Sequence, residues 1–399
     1  MMKARETFKI VFYLIILAAI VLTGCKPISE KESPSEAEGP TEQSGEEVES
    51  PAEEAFDLDA LIAAAQEEGE LIAYCGSSRV IAAGEVFTEL YGITVEGTKM
   101  KDYEQNERIV RMVDSGNVQV DVTMGDSGPR YEMELIPEGY MHSWFPPDLV
   151  DVIPEKYQDP VRFLWQPRIF GYNTEVYGDG CPVSNMWQLT DEEWSGKVVM
   201  QDPQVTSAQL DMFVDLVAHP EPLAQAYQEY YGEPLETDEK NAGWEFLKRL
   251  AENNPVIMDS DTKVADAVGG AGQTDPPIGL YSFTKHRDIE EKDLKLGACH
   301  SMEPYMGYTY PMYALIVEGA PHPNAAKLFI HCLLEGPCIE PWALDDIGGF
   351  STNPNVGSHP DNDYLSLSEW VDRTVTWQNQ DAWELEREVL DFWLLHGQN

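Results

Sequence analysis

The sequence predicts an α/β fold. Three observations point there. The chain of 399 residues is long enough for two lobes. Its hydrophobic content of 43% and aromatic content of 10% are those of a globular body with a sizeable core. Amphipathic helical stretches alternate with short apolar strands, as in proteins built on mainly parallel sheets.

The first element is an export signal, residues 1–24. Lys3, Arg5 and Lys9 precede an apolar run from Ile10 to Leu22, shorter than the roughly 20 residues a bilayer crossing needs. Leu22-Thr23-Gly24-Cys25 resembles the lipobox of bacterial lipoproteins, which implies a diacylglycerol on Cys25 as the new N-terminus. An uncleaved anchor helix is the alternative; both hold the protein outside the cytoplasmic membrane. Residues 25–55 are mostly Glu, Ser, Pro and Gly, too poor in apolar side chains to offset the entropy of folding. They read as a disordered acidic tether with a reach of about 30 Å or more.

The folded part begins near Phe56. Leu58, Leu61, Ile62 and Ala65 share one helical face, and Gly69 ends that helix before a strand at 71–74. A turn at 75–78 leads into a second helix ending near Tyr91-Gly92, then a strand at 93–95, a polar helix at 104–114 and a strand at 118–122. Strand-like segments at 163–165 and 169–173 flank a proline, and a Trp-rich stretch at 187–194 leads to a strand at 197–200. Helices at 207–218 and 239–252 and a strand at 278–280 follow. The last third holds a strand at 311–317, a helix at 324–334 and an amphipathic helix at 381–396, so the chain leaves a first lobe and returns to it.

Acidic side chains outnumber basic ones 71 to 26, a formal charge of −45, which excludes a nucleic-acid binder working through a general basic surface. Besides Cys25, five cysteines remain: Cys75, Cys181, Cys299, Cys332 and Cys338. At least one therefore stays unpaired within the chain. Cys332 and Cys338 are an open disulfide pairing. Zinc on these two and His331 is disfavoured, because the paired C-x-x-C spacing is missing.

Several ordered segments resemble one family, the extracellular solute-binding proteins of ABC importers, in the iron(III)-type branch of the type II periplasmic-binding-protein fold. They are Glu68-Gly69-Glu70-Leu71-Ile72-Ala73-Tyr74 with Ser77-Ser78-Arg79, Phe87 to Val95, Gly171-Tyr172-Asn173-Thr174, Trp194-Ser195-Gly196-Lys197-Val198 with Asp202-Pro203, and Gly319 to Phe329. The resemblance implies two α/β lobes, residues 56–167 with 307–399 and residues 168–306, joined by two crossing segments. They would close by a hinge motion over a ligand in the cleft. It also implies a small-molecule solute, ABC permease subunits as partners, a monomer, no cofactor and no chemistry on the ligand.

Loops after strands and helix N-termini are expected to line that cleft, because their backbone N–H groups are unpaired and favour anions. The candidates are Ser77, Ser78 and Arg79, then Asp126 and Ser127, Thr206 and Ser207, and Tyr281 and Ser282, with Tyr305 and Tyr308 near the second crossing. Each hydroxyl also reads as a helix cap, Arg79 also as a surface charge, and the tyrosines also as hinge packing. The iron-binding members use two adjacent tyrosines after the segment matching residues 278–280; here the stretch is Tyr281-Ser282-Phe283-Thr284-Lys285, and the pair is absent. Tyr230-Tyr231 stands in the wrong place and reads as packing. Hydroxyls, Arg79 and Lys285 suit a small oxyanion or a phosphorylated organic solute. Ferric iron held with a carried anion is the alternative. The acidic body opposes an anion, although salt screens its field beyond about 8 Å, so local donors must dominate.

An enzyme is the competing class. Gly125-Asp126-Ser127-Gly128-Pro129 resembles part of the nucleophile motif of chymotrypsin-like serine proteases, but the second glycine after the serine is missing and no histidine precedes His142. The α/β-hydrolase elbow is also absent. Asp259 and Asp261 alternate as calcium ligands do, yet Lys263 stands where a further oxygen is needed. No catalytic residue and no metal site are expected.

Overall fold

The computed structural model describes residues 56–362, 365–376 and 380–397. The signal peptide, Cys25 and the tether lie outside them.

Among the described residues, eleven strands join in one curled sheet. They are β1 (Glu70–Cys75), β2 (Thr94–Lys99), β3 (Val122–Gly125), β4 (Met141–His142), β5 (Arg162–Asn173), β6 (Val198–Gln201), β7 (Val256–Met258), β8 (Ile278–Ser282), β9 (Leu296–Ala298), β10 (Gly307–Val317) and β11 (Phe350–Ser351). The main path runs β2-β1-β3-β10-β5-β8-β6-β7. Each outer set of three strands is parallel. The expected parallel pairing thus holds within each set and fails between them: β10 runs antiparallel to β3 and β5, and β5 antiparallel to β8. The boundaries expected near residues 167 and 307 fall inside β5 and at the start of β10, the two strands the sets share.

The strand-like segments at 163–165 and 169–173 form one strand, β5, with Pro167 inside it. Pro167 lacks the N–H a ladder needs, yet on the edge away from β10 it falls in a gap. There β11 pairs with Leu164 and Trp165, and β8 begins at Arg168. The strand expected at 118–122 begins only at Val122. The buried Asp121 carboxylate bonds the N–H of Ile72 at 2.8 Å and that of His322 at 2.7 Å, standing in for ladder partners there.

Helices cover both faces. Asp57 caps Leu58–Glu68 through the Ala60 N–H at 3.1 Å, and Gly69 closes it in the left-handed conformation. One continuous core runs through both sets and includes Phe87, Phe163, Trp187, Phe213 and Trp342; a smaller one around Tyr131 and Tyr313 lies beside β3 and β10. Gly307 is where β10 approaches β5 too closely for any side chain: a Cβ there would stand 1.9 Å from the Arg168 carbonyl oxygen. Cys181 is bonded to Cys299 and Cys332 to Cys338, and Cys75 remains free and buried.

The last helix, Glu386–His396, was expected with the first lobe. It packs instead on the helices Ser207–Ala218 and Ala242–Glu252, through Phe213 against Trp393 and Trp244 against Phe392. His396 and Lys240 add ion pairs to Glu252 and Glu388. Its apolar face shows that it must be covered but not by which partner. No described helix is long and apolar enough to cross a membrane.

Candidate functional site

Parallel strands end in loops on one edge of a sheet, and ligands collect there. Here the C-terminal ends of all six parallel strands open on one cavity of about 320 Å³. Four helices begin at its rim: Arg79–Tyr91, Asp102–Asp114, Ser207–Ala218 and Asp261–Gly269. Their free N–H groups and dipoles make its wall electropositive.

Of the 26 basic side chains in the sequence, six line this cavity: Arg79, Lys99, Lys101, Arg168, Lys285 and Arg287. The three arginines are held by carboxylates. Arg168, only 3% exposed, grips Asp261 with both terminal nitrogens at 2.7 and 3.2 Å and donates to Gln201 at 2.9 Å. Asp346 ties Arg79 from one wall to Arg287 from the other. The three lysines have no carboxylate within ion-pair distance among the described residues. Burial, with the Arg287 guanidinium beside it, pushes the Lys285 ammonium below its ordinary range. Two buried N–H donors of lining residues, Arg168 Nε and Trp342 Nε1, also lack an acceptor among the described residues.

The opposite wall holds the carboxyl of Asp102. Asp102 Oδ2 accepts the Asp126 N–H at 2.6 Å and lies 3.5 Å from Ser127 Oγ, while Oδ1 accepts from Gln105 at 3.1 Å. Burial, then the Asp126 carboxylate beside it, pushes Asp102 well above the ordinary carboxylate range. Gly125 makes room for this: a Cβ there would meet Asp102 Oδ2 at 2.4 Å.

Ser77, Ser78, Arg79, Asp126, Thr206, Ser207 and Ser282 stand on the cavity wall, and Ser127 lines an adjoining pocket. Ser78, Ser127 and Thr206 make no side-chain cap to the helices they precede. Ser127 Oγ and Ser207 Oγ meet at 2.9 Å, one hydroxyl from each set of strands. Three candidates stand off this wall. Tyr281, Tyr305 and Tyr308 are not lining residues. Tyr281 points into the core toward His286 and across Gly171, Tyr308 is buried against Tyr310, and Tyr305 packs half-buried against the core. On β8 Tyr281 alternates with the lining Ser282 and so faces the other way; on β10 Tyr308 shares the face of Tyr310 and is buried beside it, so that Tyr310 alone brings a phenol to the wall.

Sequence reasoning passed over Lys99, Lys101, Asp102, Arg168, Arg287 and Asp346. The strand-end rule that found Ser77 would also have found Lys99 at the end of β2 and Lys101 just after it. Arg168 lies inside a strand and carries no such signal. Asp259 and Asp261 are explained by ion pairs to Lys263 and Arg168, with Ser260 as helix cap. Both hydroxyls of Tyr230 and Tyr231 rest on Asp191, and His331 on Asp148 at 2.9 Å.

A model of the bacterial extracellular solute-binding proteins matches residues 82–366. No curated protein sequence matches the chain. Among solved structures, iron-bound HitA from Pseudomonas aeruginosa is similar at 16% identity and a TM-score of 0.62, covering 82% of this chain and 99% of its own. The periplasmic binding protein AfuA from Actinobacillus pleuropneumoniae, with exogenous fructose-6-phosphate bound, gives 17% and 0.61 over 82% of this chain and 98% of its own. AgtB from Agrobacterium tumefaciens R10, in complex with agropinic acid, gives 16% and 0.57 over 83% and 99%. The shared architecture is the two-lobed type II periplasmic-binding-protein fold. With 285 consecutive residues matched by its model, the chain belongs to the bacterial extracellular solute-binding proteins, which capture solutes for ABC importers outside the cytoplasm.

Proposed function

We propose that this protein is a lipid-anchored receptor that captures a small oxyanion or a phosphorylated organic solute by closing its lobes, and delivers it to a permease. It performs no chemistry on that solute. The observation that carries the reading is the gathering of six basic side chains, three of them unpaired lysines, around one cavity of a protein with net charge −45. Local donors there oppose the long-range field, and close charge-assisted hydrogen bonds outweigh a screened distant potential. Ser77, Ser78, Arg79, Asp126, Thr206, Ser207 and Ser282 are the contacts foreseen from sequence; Arg168, Lys285, Lys99 and Lys101 join them. Asp102, its carboxyl pushed up by burial, repels an anion less than an ordinary carboxylate would.

Thermal shifts of the chain from Phe56 onward test the reading. Phosphate, alkylphosphonates or sugar phosphates should raise the melting temperature by mass action. A shift with ferric iron alone would favour the alternative, which one phenol, Tyr310, supports poorly compared with the adjacent pair of the iron-binding members. No shift with any solute, together with Ser127-dependent hydrolysis of a peptide or ester, would sink the transport reading. For the anchor, Cys25→Ser should move the protein from the membrane fraction to the soluble one.

A further inference from the structure

Beside the basic cavity lies a second pocket of about 140 Å³ with the opposite chemistry. The two share Val205, Thr206 and Ser207 as a common wall. The second pocket holds the carboxyl groups of Asp211 and Glu386, and its one basic side chain, Arg130, is taken up by Glu107 and Glu134 at 3.0 and 3.1 Å. Asp211 is 5% exposed and accepts no hydrogen bond from a described residue.

An independent observation points to a ligand. Asn106 is fully buried on the wall of this pocket, and neither its carbonyl oxygen nor its amide nitrogen has a partner among the described residues. A buried carboxamide left unpaired is costly, so such a group calls for a polar partner. The outer wall is Trp383, Glu386 and Leu390, all beyond the residues the family model matches. An indole face, two carboxyl groups and a carboxamide on the wall of one small pocket are acceptors suited to an alkylammonium group, which donates to them.

We infer that the solute carries a cationic amino group as well as its anion, and that this group sits among Asp211, Glu386 and Asn106 while the anion sits against Arg168 and the lysines. The inference rests on the anion reading above and narrows it to zwitterionic solutes. The hydroxyl contact between Ser127 and Ser207 stands at the junction of the two compartments, where the linker of the solute passes.

Calorimetry on the full chain tests this with ω-aminoalkylphosphonates of two to five carbons, the alkylphosphonates of the same lengths, and the matching alkylamines. At one length or more, the amino compound should bind at least about tenfold tighter than its des-amino partner, about what one good charged contact supplies. Asp211→Asn and Glu386→Gln, on separate elements, should each bring that ratio below about threefold. Equal affinities at every length would overturn the inference and leave the anion reading standing. So would a ratio that survives both substitutions, or an alkylamine that binds as tightly as the aminoalkylphosphonate. Binding of neither phosphonate series would overturn both readings together.

Discussion

The two parallel sets, β2-β1-β3 and β7-β6-β8, are built alike and end alike. Each delivers three strand ends and two helix N-termini to the same cavity. They differ in how the charges they bring are held. The second set, with β5, presents Arg168 already locked to Asp261 and Gln201 and almost wholly buried. The first presents Lys99 and Lys101 exposed and unpaired. The second wall therefore carries a preformed anchor whose geometry is fixed before a ligand arrives, next to the unpaired Lys285; the first adds two exposed point charges beside the carboxylate-held Arg79. Disulfides repeat the asymmetry. Cys181–Cys299 spans 118 residues within the second half, while Cys332–Cys338 spans 6 in the first.

The largest way to break the comparison is to remove the long disulfide. Replacing Cys181 and Cys299 by Ser should cost about 5 kcal/mol and replacing Cys332 and Cys338 about 2 kcal/mol, on the chain-entropy scaling with loop length. Urea unfolding midpoints measure both, and equal losses would show that the halves are held alike. Next comes the anchor. Arg168→Met leaves Asp261 without its partner and should lower stability by about 3 kcal/mol while abolishing anion binding. Lys99→Met should weaken binding with little change in the melting temperature. Smallest is Ser207→Ala, which removes the hydroxyl contact with Ser127 and should cost about 1 kcal/mol. That loss should appear as a faster ligand off-rate, since the contact joins one half to the other.

Much of this was legible in the sequence, for a definable reason. βα units declare themselves by local periodicity and by Gly and Asn at their ends, so the helix Arg79–Tyr91 and the strand β1 could be placed closely, and with them Ser77 to Arg79. What escaped was long-range. The antiparallel centre depends on β5 and β10 meeting across more than a hundred residues. Asp346, which bridges Arg79 and Arg287, comes from yet another part of the chain. Tyr281, Tyr305 and Tyr308 have the chemistry of ligand contacts, but Tyr281 has the wrong facing, which in a strand reverses with a one-residue error in register, and Tyr308, on the same face as Tyr310, is covered by packing. The reading of Glu386–His396 failed likewise: its amphipathic pattern demands a partner without specifying one.

Cys75 ends β1 next to the cavity, buried, with its thiol pushed up to about 12 by burial. The other four cysteines of the described body are tied in disulfides. The described body therefore offers no accessible thiol to a maleimide dye. In the chain from Phe56 onward, a single cysteine introduced on either wall would be the one labelled position, so that part of the protein can be made into a fluorescent reporter of its own solute with Cys75 left in place.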